Sequence, residues 1–151
     1  MNYEIDLLDR KILKILVEDG RRPFLEIARE LKVSGGTVHQ RVEKMQQAGV
    51  LKGFTTILNR DKLGYQVQVL AGVHLGNARD CSAVVDAIKE FPEVLEVHYT
   101  SGNYALMVKI AVSSITEYYD FLSSKLQALP QIRSTESFIC MASPISKEVS
   151  L

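Results

Sequence analysis

Tryptophan is absent from the 151 residues, proline occurs four times and cysteine only twice. Cys81 and Cys140 form no CxxC and have no ligand-like spacing to a histidine. That excludes a disulfide scaffold or a zinc ribbon and leaves two small apolar side chains in a reducing compartment. No apolar run is long enough to span a bilayer, and charges interrupt the longest ones. Excess charge is missing too: 18 Lys and Arg stand against 18 Asp and Glu, so the overall balance argues neither for nor against nucleic acid. The opening Met1-Asn2-Tyr3-Glu4 has no basic and then apolar stretch, and it reads as no export signal. What remains is 46% hydrophobic and 24% charged, an ordinary globular composition, and the expectation is a cytoplasmic protein of one domain or two small ones. The charge is slightly uneven, with ten basic and eight acidic groups in residues 1–58 and the reverse in 59–151.

The first third predicts three helices. Asp6 is placed to cap the first, with Asp9 three residues on, and Leu8, Ile12, Ile15 and Leu16 form its apolar stripe up to Asp19-Gly20. Pro23 suits the first turn of a short second helix with Leu25, Ile27, Ala28 and Leu31 inward. Val33-Ser34 leaves a turn of very few residues before a third helix over 35–48, buried through Val38, Val42 and Met45 and closed by Gly49. Leu51 to Leu58 reads as a strand, followed by the polar Asn59-Arg60-Asp61-Lys62. Strand and helix then alternate. Val67, Val69, Ala71, Val73 and Leu75 recur with period two, and Asp80 opens a helix carrying Val84, Ala87 and Ile88. Strands follow at Leu95 to Tyr99 and Tyr104 to Val112, and Ser114 and Glu117 have capping-box spacing. A helix with Ile115, Tyr119, Leu122, Leu126 and Leu129 on one face ends at Pro130, and a last strand spans about 132–142. The order β-α-β-β-α-β is that of a ferredoxin-like sheet with both helices on one side. The fold class expected is α+β: a helix-turn-helix region, winged-helix-like in type, over residues 1–53, a β-strand linker over 54–64, and a βαββαβ domain over 65–151.

Two short helices joined tightly, the second rich in polar and basic side chains, are the layout of a DNA-binding helix-turn-helix. Opposite the core of the third helix stand Thr37, Gln40, Arg41, Lys44 and Gln47, which are side chains able to reach base edges or phosphates. His39 shares that helix and is expected at its DNA face or surface. Ser34, Gly35 and Gly36 put backbone N–H groups at its N-terminus, suited to a phosphate. Arg29, Lys32 and Lys52 could flank the same groove. The plainer alternative is a solvated helix face.

The runs Ile5-Asp6-Leu7-Leu8-Asp9-Arg10-Lys11-Ile12-Leu13, Val33 to Met45 and Ala48-Gly49-Val50-Leu51-Lys52-Gly53-Phe54 resemble the Lrp/AsnC, or feast/famine, regulators. Leu63-Gly64-Tyr65, Tyr99 to Tyr104 and Ser134-Thr135-Glu136 fit the same pattern, so the likeness covers nearly the whole chain. Within the family, the run His39 to Met45 and the ending Pro144-Ile145 resemble the asparagine-responsive members most. The resemblance implies a helix-turn-helix joined by a β-linker to a ligand-binding domain of ferredoxin-like fold. It further implies dimers paired through that second domain, and four dimers closed into an octamer on double-stranded DNA. It implies no cofactor beyond an amino-acid effector, asparagine being the leading candidate.

In that reading Thr100, Ser101, Gly102, Asn103 and Tyr104 offer backbone N–H groups, hydroxyls and an amide to a small zwitterion, with Gly102 allowing close approach. Gln127, Ser134 and Thr135 would join them from a neighbouring strand or another subunit. The plain alternative is a turn that only reverses the chain. Many relatives carry carboxylates in the segment that here reads Gly102-Asn103-Tyr104-Ala105. Either backbone carbonyls hold the effector's amine, or the pocket has lost amino acids. His74 and His98 lie off the main apolar alternation and are expected on a sheet face or interface, not at a metal. No Walker loop, Rossmann fingerprint or G-x-S-x-G is present, so no catalytic residue is assigned and an enzyme is not expected. The competing readings are a ligand-insensitive architectural DNA-binding protein and, remotely, a tetrapyrrole-decarboxylase-like enzyme on the same fold.

Overall fold

The computed structural model describes residues 3–151. It divides into two compact units, one running up to Ile57 and joined by Ile145–Leu151, the other Leu58–Pro144.

The first unit holds three helices, α1 (Leu7–Glu18), α2 (Phe24–Leu31) and α3 (Gly35–Gln47). Asp6 accepts the Asp9 N–H at 2.9 Å while the Asp9 carboxylate accepts the Asp6 N–H at 3.2 Å, a reciprocal cap at the positive end of α1. Ile12, Leu13, Leu16, Ile27, Ala28, Val38, Val42 and Met45 form its core. Leu25, expected inside, is exposed; an eight-residue helix turns only a narrow face inward, and Ile27 and Ala28 fill it. Between α2 and α3 the backbone reverses at Lys32, which holds a left-handed φ of 55°. Gly49, at φ 71°, follows α3 as expected of a C′ residue. No wing strand follows among the described residues, so the helix-turn-helix is the plain three-helix form.

The stretch Leu51–Leu58, expected as a strand, is irregular. Its composition is apolar and β-branched, but a strand also needs a neighbour for its N–H and C=O groups, and this segment has none within the described chain.

The second unit is a four-stranded antiparallel sheet in the order β2-β3-β1-β4, built from β1 (Val67–Leu75), β2 (Val94–Tyr99), β3 (Leu106–Val112) and β4 (Ile132–Ile139). Two helices, α4 (Cys81–Ile88) and α5 (Ile115–Phe121), connect it, giving the expected βαββαβ order. Val69, Ala71 and Val73 of β1 and Leu106, Val108 and Ile110 of β3 point to one face and pack with Val84, Ile88, Tyr118 and Phe121 of the helices. The opposite face, carrying Gln68, Leu70, Gly72 and His74, lies outside that core.

Helix α5 corrects the sequence reading. Ile115 and Tyr119, expected inside, are exposed and Tyr118 and Phe121 are buried in their place, while Leu126 is buried as expected. Leu126 follows Phe121 by five residues, a spacing no regular α-helix keeps on one face. A π-helical turn over Leu122–Leu126 absorbs the extra residue. Ser114 caps α5 through the Glu117 N–H at 3.1 Å, but Glu117 reaches back to Ser113 rather than to Ser114. Asp80 makes no side-chain cap on α4; Asn77, one short 3-10 turn earlier, accepts the Arg79 N–H at 3.0 Å. Among the described residues no helix is long and apolar enough to cross a membrane.

Candidate DNA interface and effector site

The N-terminus of α3 is fixed by Ser34, whose hydroxyl accepts the Thr37 N–H at 3.1 Å and shares a 2.8 Å hydrogen bond with the Thr37 hydroxyl. Both hydroxyls therefore serve the cap first. Gly35 and Gly36 form the first turn, where N–H groups lack partners inside a helix. A Cβ on Gly35 or Gly36 would meet nothing nearer than 3.5 Å or 3.8 Å, so packing in this chain does not require glycine at either position. Gly36, Gln40, Lys44 and Gln47 are exposed along one ridge of α3. Gln47 is only weakly engaged, 3.5 Å from Glu43, and Lys44 forms no ion pair among the described residues. His39 is exposed with its ring edge-on to Phe24 at 5.9 Å.

Arg41 behaves differently from the others. Expected on the outward face, it is only half exposed; its Nη1 lies 3.2 Å from Asp9 Oδ1 and also bonds Asp6. The two carboxylates raise the affinity of the guanidinium for its proton, Asp6 contributing most. Asp6 in turn is held below the ordinary carboxylate range, first by the Asp9 N–H and then by Arg41. Sequence spacing carried the signal: Arg41 follows Val38 by three residues and precedes Met45 by four, at the edge of the buried stripe.

In the second unit the expected effector residues gather at one end of the sheet but not on one face. The loop after β2 closes through the Thr100 N–H to the Ala105 carbonyl at 3.2 Å, and the Thr100 hydroxyl bonds the Tyr104 carbonyl. Ser101, Gly102 and Asn103 are exposed at its tip. Tyr104 folds back over β1, with its ring so close to Gly72 that a Cβ there would lie 2.6 Å from it. His74 and Phe138 flank that ring at 5.0 and 6.0 Å, and the phenol donates to Glu136. This hydrogen bond is the main reason that the Tyr104 proton is held above the ordinary tyrosine range. Ser134 pairs with His74 on the same outer face, and the two line an open cavity of about 350 Å³ with Leu75 and Arg133. Thr135 pairs with buried Val73 and so faces the helices, where Gln127 donates to it at 2.8 Å. The π-helical turn carries Gln127 there, since its N–H bonds the Leu122 carbonyl five residues back.

Four residues at this end lie outside the effector set expected from sequence. Gly72 had a readable signal, since a glycine inside a strand marks close approach of another group. His74 had been placed only on a sheet face, and Arg133 and Glu136 needed the register of β4 against β1 to join it. Among the described residues no group of three potential metal ligands occurs.

A profile of the AsnC-type helix-turn-helix domain matches residues 5–46, and one of the Lrp/AsnC ligand binding domain matches residues 66–149. The regulatory protein AsnC of Haemophilus influenzae is 42% identical over 97% of this chain and 98% of its own. The chain belongs to the Lrp/AsnC family. This Lrp/AsnC regulator is also similar to the structure of Escherichia coli AsnC, with a TM-score of 0.91 and 36% identity over 97% of this chain and 99% of that one. A Neisseria meningitidis transcriptional regulator in complex with L-Met shares the fold at a TM-score of 0.87 and 19% identity, over 95% of this chain and 94% of that one. The family assignment makes this chain a transcriptional regulator with a DNA-binding helix-turn-helix and a ligand-binding domain, as its sequence resemblance implied.

Proposed function

We propose that this regulator binds duplex DNA with the outward ridge of α3 and answers to a small amino acid held at the loop end of the sheet, asparagine being the leading candidate. The ridge of Gly36, Gln40, Lys44 and Gln47 carries the DNA half of this reading, because these groups are exposed and the core does not use them. Ser34, Gly35, Thr37 and His39 border it at the helix start. Lys44 supplies charge to a phosphate, Gln40 an amide for a base edge, and the first-turn N–H groups a second phosphate seat.

The effector half rests on the exposed tip Ser101-Gly102-Asn103, with Thr100 and Tyr104 shaping it and Ser134 bordering the cavity beside it. Gln127 and Thr135 hold each other on the other face, and they shape the base of the site rather than its opening. The uncovered sheet face, with Leu70, Met107 and Phe138 half-exposed, supports pairing of two copies there, and the octamer of four dimers follows from the family reading.

A thermal-shift panel of the common amino acids tests the effector. A ligand at a hundred times its Kd stabilises by about 2.7 kcal/mol, several degrees for a chain of this size. A selective shift with asparagine, lost in Gly102→Val, supports the reading. A shift with another amino acid alone replaces asparagine, and no shift with any leaves the ligand-insensitive architectural protein as the better account.

A further inference from the structure

Asp9 is the one charged residue among the described residues that is wholly buried in its unit, and all of its partners can be named. Its Oδ2 accepts the Tyr3 hydroxyl at 2.9 Å and the Asp6 N–H at 3.2 Å, and its Oδ1 accepts Arg41 Nη1 at 3.2 Å. Asp6 closes the cluster by bonding the same Nη1. The links from Arg41 cross 32 and 35 residues of sequence and join the middle of α3 to the first turn of α1.

A buried carboxylate is tolerated only while its charge is paired and its lone pairs are occupied. Here the pairing cation is a side chain of the helix that faces DNA. At about 100° of rotation per residue, Arg41 lies about 40° from Met45 and about 60° from Val38, but about 100° from Gln40 and about 140° from Gly36, so it sits on the flank of α3 between Lys44 and the core stripe. The cluster of Arg41, Asp6 and Asp9 also carries a net negative charge, which makes it a poor seat for a phosphate however exposed the guanidinium edge is.

We propose that Arg41 is a positioning residue: pinned by Asp6 and buried Asp9, it fixes the seating of α3 on α1 and touches neither base nor phosphate. This rests on the reading that the α3 ridge faces DNA. Tyr3 belongs to the same device, since its hydroxyl holds the Asp9 carboxylate from the side opposite Arg41 and stops it rotating away. The device would convert a helix whose own packing is a narrow stripe of Val38, Val42 and Met45 into one with a fixed roll angle, which base recognition requires.

The test measures affinity of the full-length protein for a duplex that the wild-type protein has enriched from a randomised library, at several salt concentrations, after far-UV circular dichroism has confirmed folding. Four variants are compared: Asp9→Asn, Arg41→Gln, the two combined, and Lys44→Ala. Positioning predicts that each of the first two weakens binding by roughly tenfold with the salt slope unchanged, and that the double variant, in which no buried charge is left unpaired, binds no worse than either. Lys44→Ala should flatten the slope by about one unit. Asp9→Asn is isosteric and decides the matter alone if Arg41→Gln does not fold: freeing a DNA-contacting arginine would tighten binding, whereas losing a positioning contact weakens it. Tighter binding by Asp9→Asn, a slope flattened by Arg41→Gln, or unaltered affinity in both overturns the inference. If Lys44→Ala also leaves affinity and slope unaltered, the α3 reading falls with it; an unaltered Arg41 beside an active Lys44 sinks the positioning role only.

Discussion

Gly72 gives the clearest case of one residue deciding a site. The ring of Tyr104 lies against its Cα, and a methyl group there would come within 2.6 to 2.7 Å of three ring atoms. The ring can yield only by leaving His74 and Phe138 and dropping its hydrogen bond to Glu136. Gly72→Ala is therefore expected to destabilise the protein by about 1–3 kcal/mol. Adding Tyr104→Ala should restore part of the loss in a chemical denaturation series. A Gly72→Ala protein as stable as wild type would mean that the ring has room to move. Sequence alternation announced β1 with its bounds, and a glycine inside it signals a close approach, but a side-chain pattern cannot report which group crosses the backbone.

Helix α3 is the element on which the DNA reading depends, and its start is a set of local decisions. Ser34 has extended backbone, and its hydroxyl accepts the Thr37 N–H. Replacing it by alanine leaves that donor to water and costs about 1 kcal/mol. Ser34→Ala should lower the urea midpoint without changing the slope of the transition. An unchanged midpoint would show that water serves the Thr37 N–H as well as the Ser34 hydroxyl does. The cap, the helix bounds and the closing Gly49 were all legible, since each depends on neighbours within four residues. The roll of the same helix was legible only in part, since spacing puts Arg41 beside the buried stripe without saying what it meets there. A polar stripe containing Arg41 reads as a DNA face, and nothing within it announces the two carboxylates that Asp6 and Asp9 supply from more than thirty residues away. In α5 the same limit appears as a stripe misplaced by one residue, because nothing in a periodicity announces a π-helical turn.

The whole molecule responds to acid through both units. Asp6 is held below its ordinary value of 3.8 by the Asp9 N–H and Arg41, and Glu117 below 4.5 by the hydroxyl and N–H of Ser113. A carboxylate whose pKa is lower folded than unfolded contributes stability that is fully present above the unfolded value and is lost as pH falls through the folded one. Thermal stability should thus be level with respect to these groups above about pH 5 and decline below about pH 4. Asp6→Asn should make that decline shallower, and a decline of unchanged steepness would remove Asp6 from the account. The proposed pairing of two copies is also a property at this scale. If it uses the outer sheet face, Phe138, 42% exposed there, is the side chain whose change to glutamate should lighten the protein in sedimentation velocity. A Phe138→Glu protein of unaltered mass would remove this face from the proposal.

The sequence alone determined the helix-turn-helix, the βαββαβ order, the helix caps and turns of the first unit, and the family, because these rest on local propensity, periodicity and short motifs. Tertiary structure decided the rest. It turned Tyr104 over Gly72, set Ser134 beside His74 and Thr135 beside Val73, and tied Arg41 to Asp9. Each of those depends on which distant residues share a register or a helix face, and such pairings arise only when separate elements pack against one another.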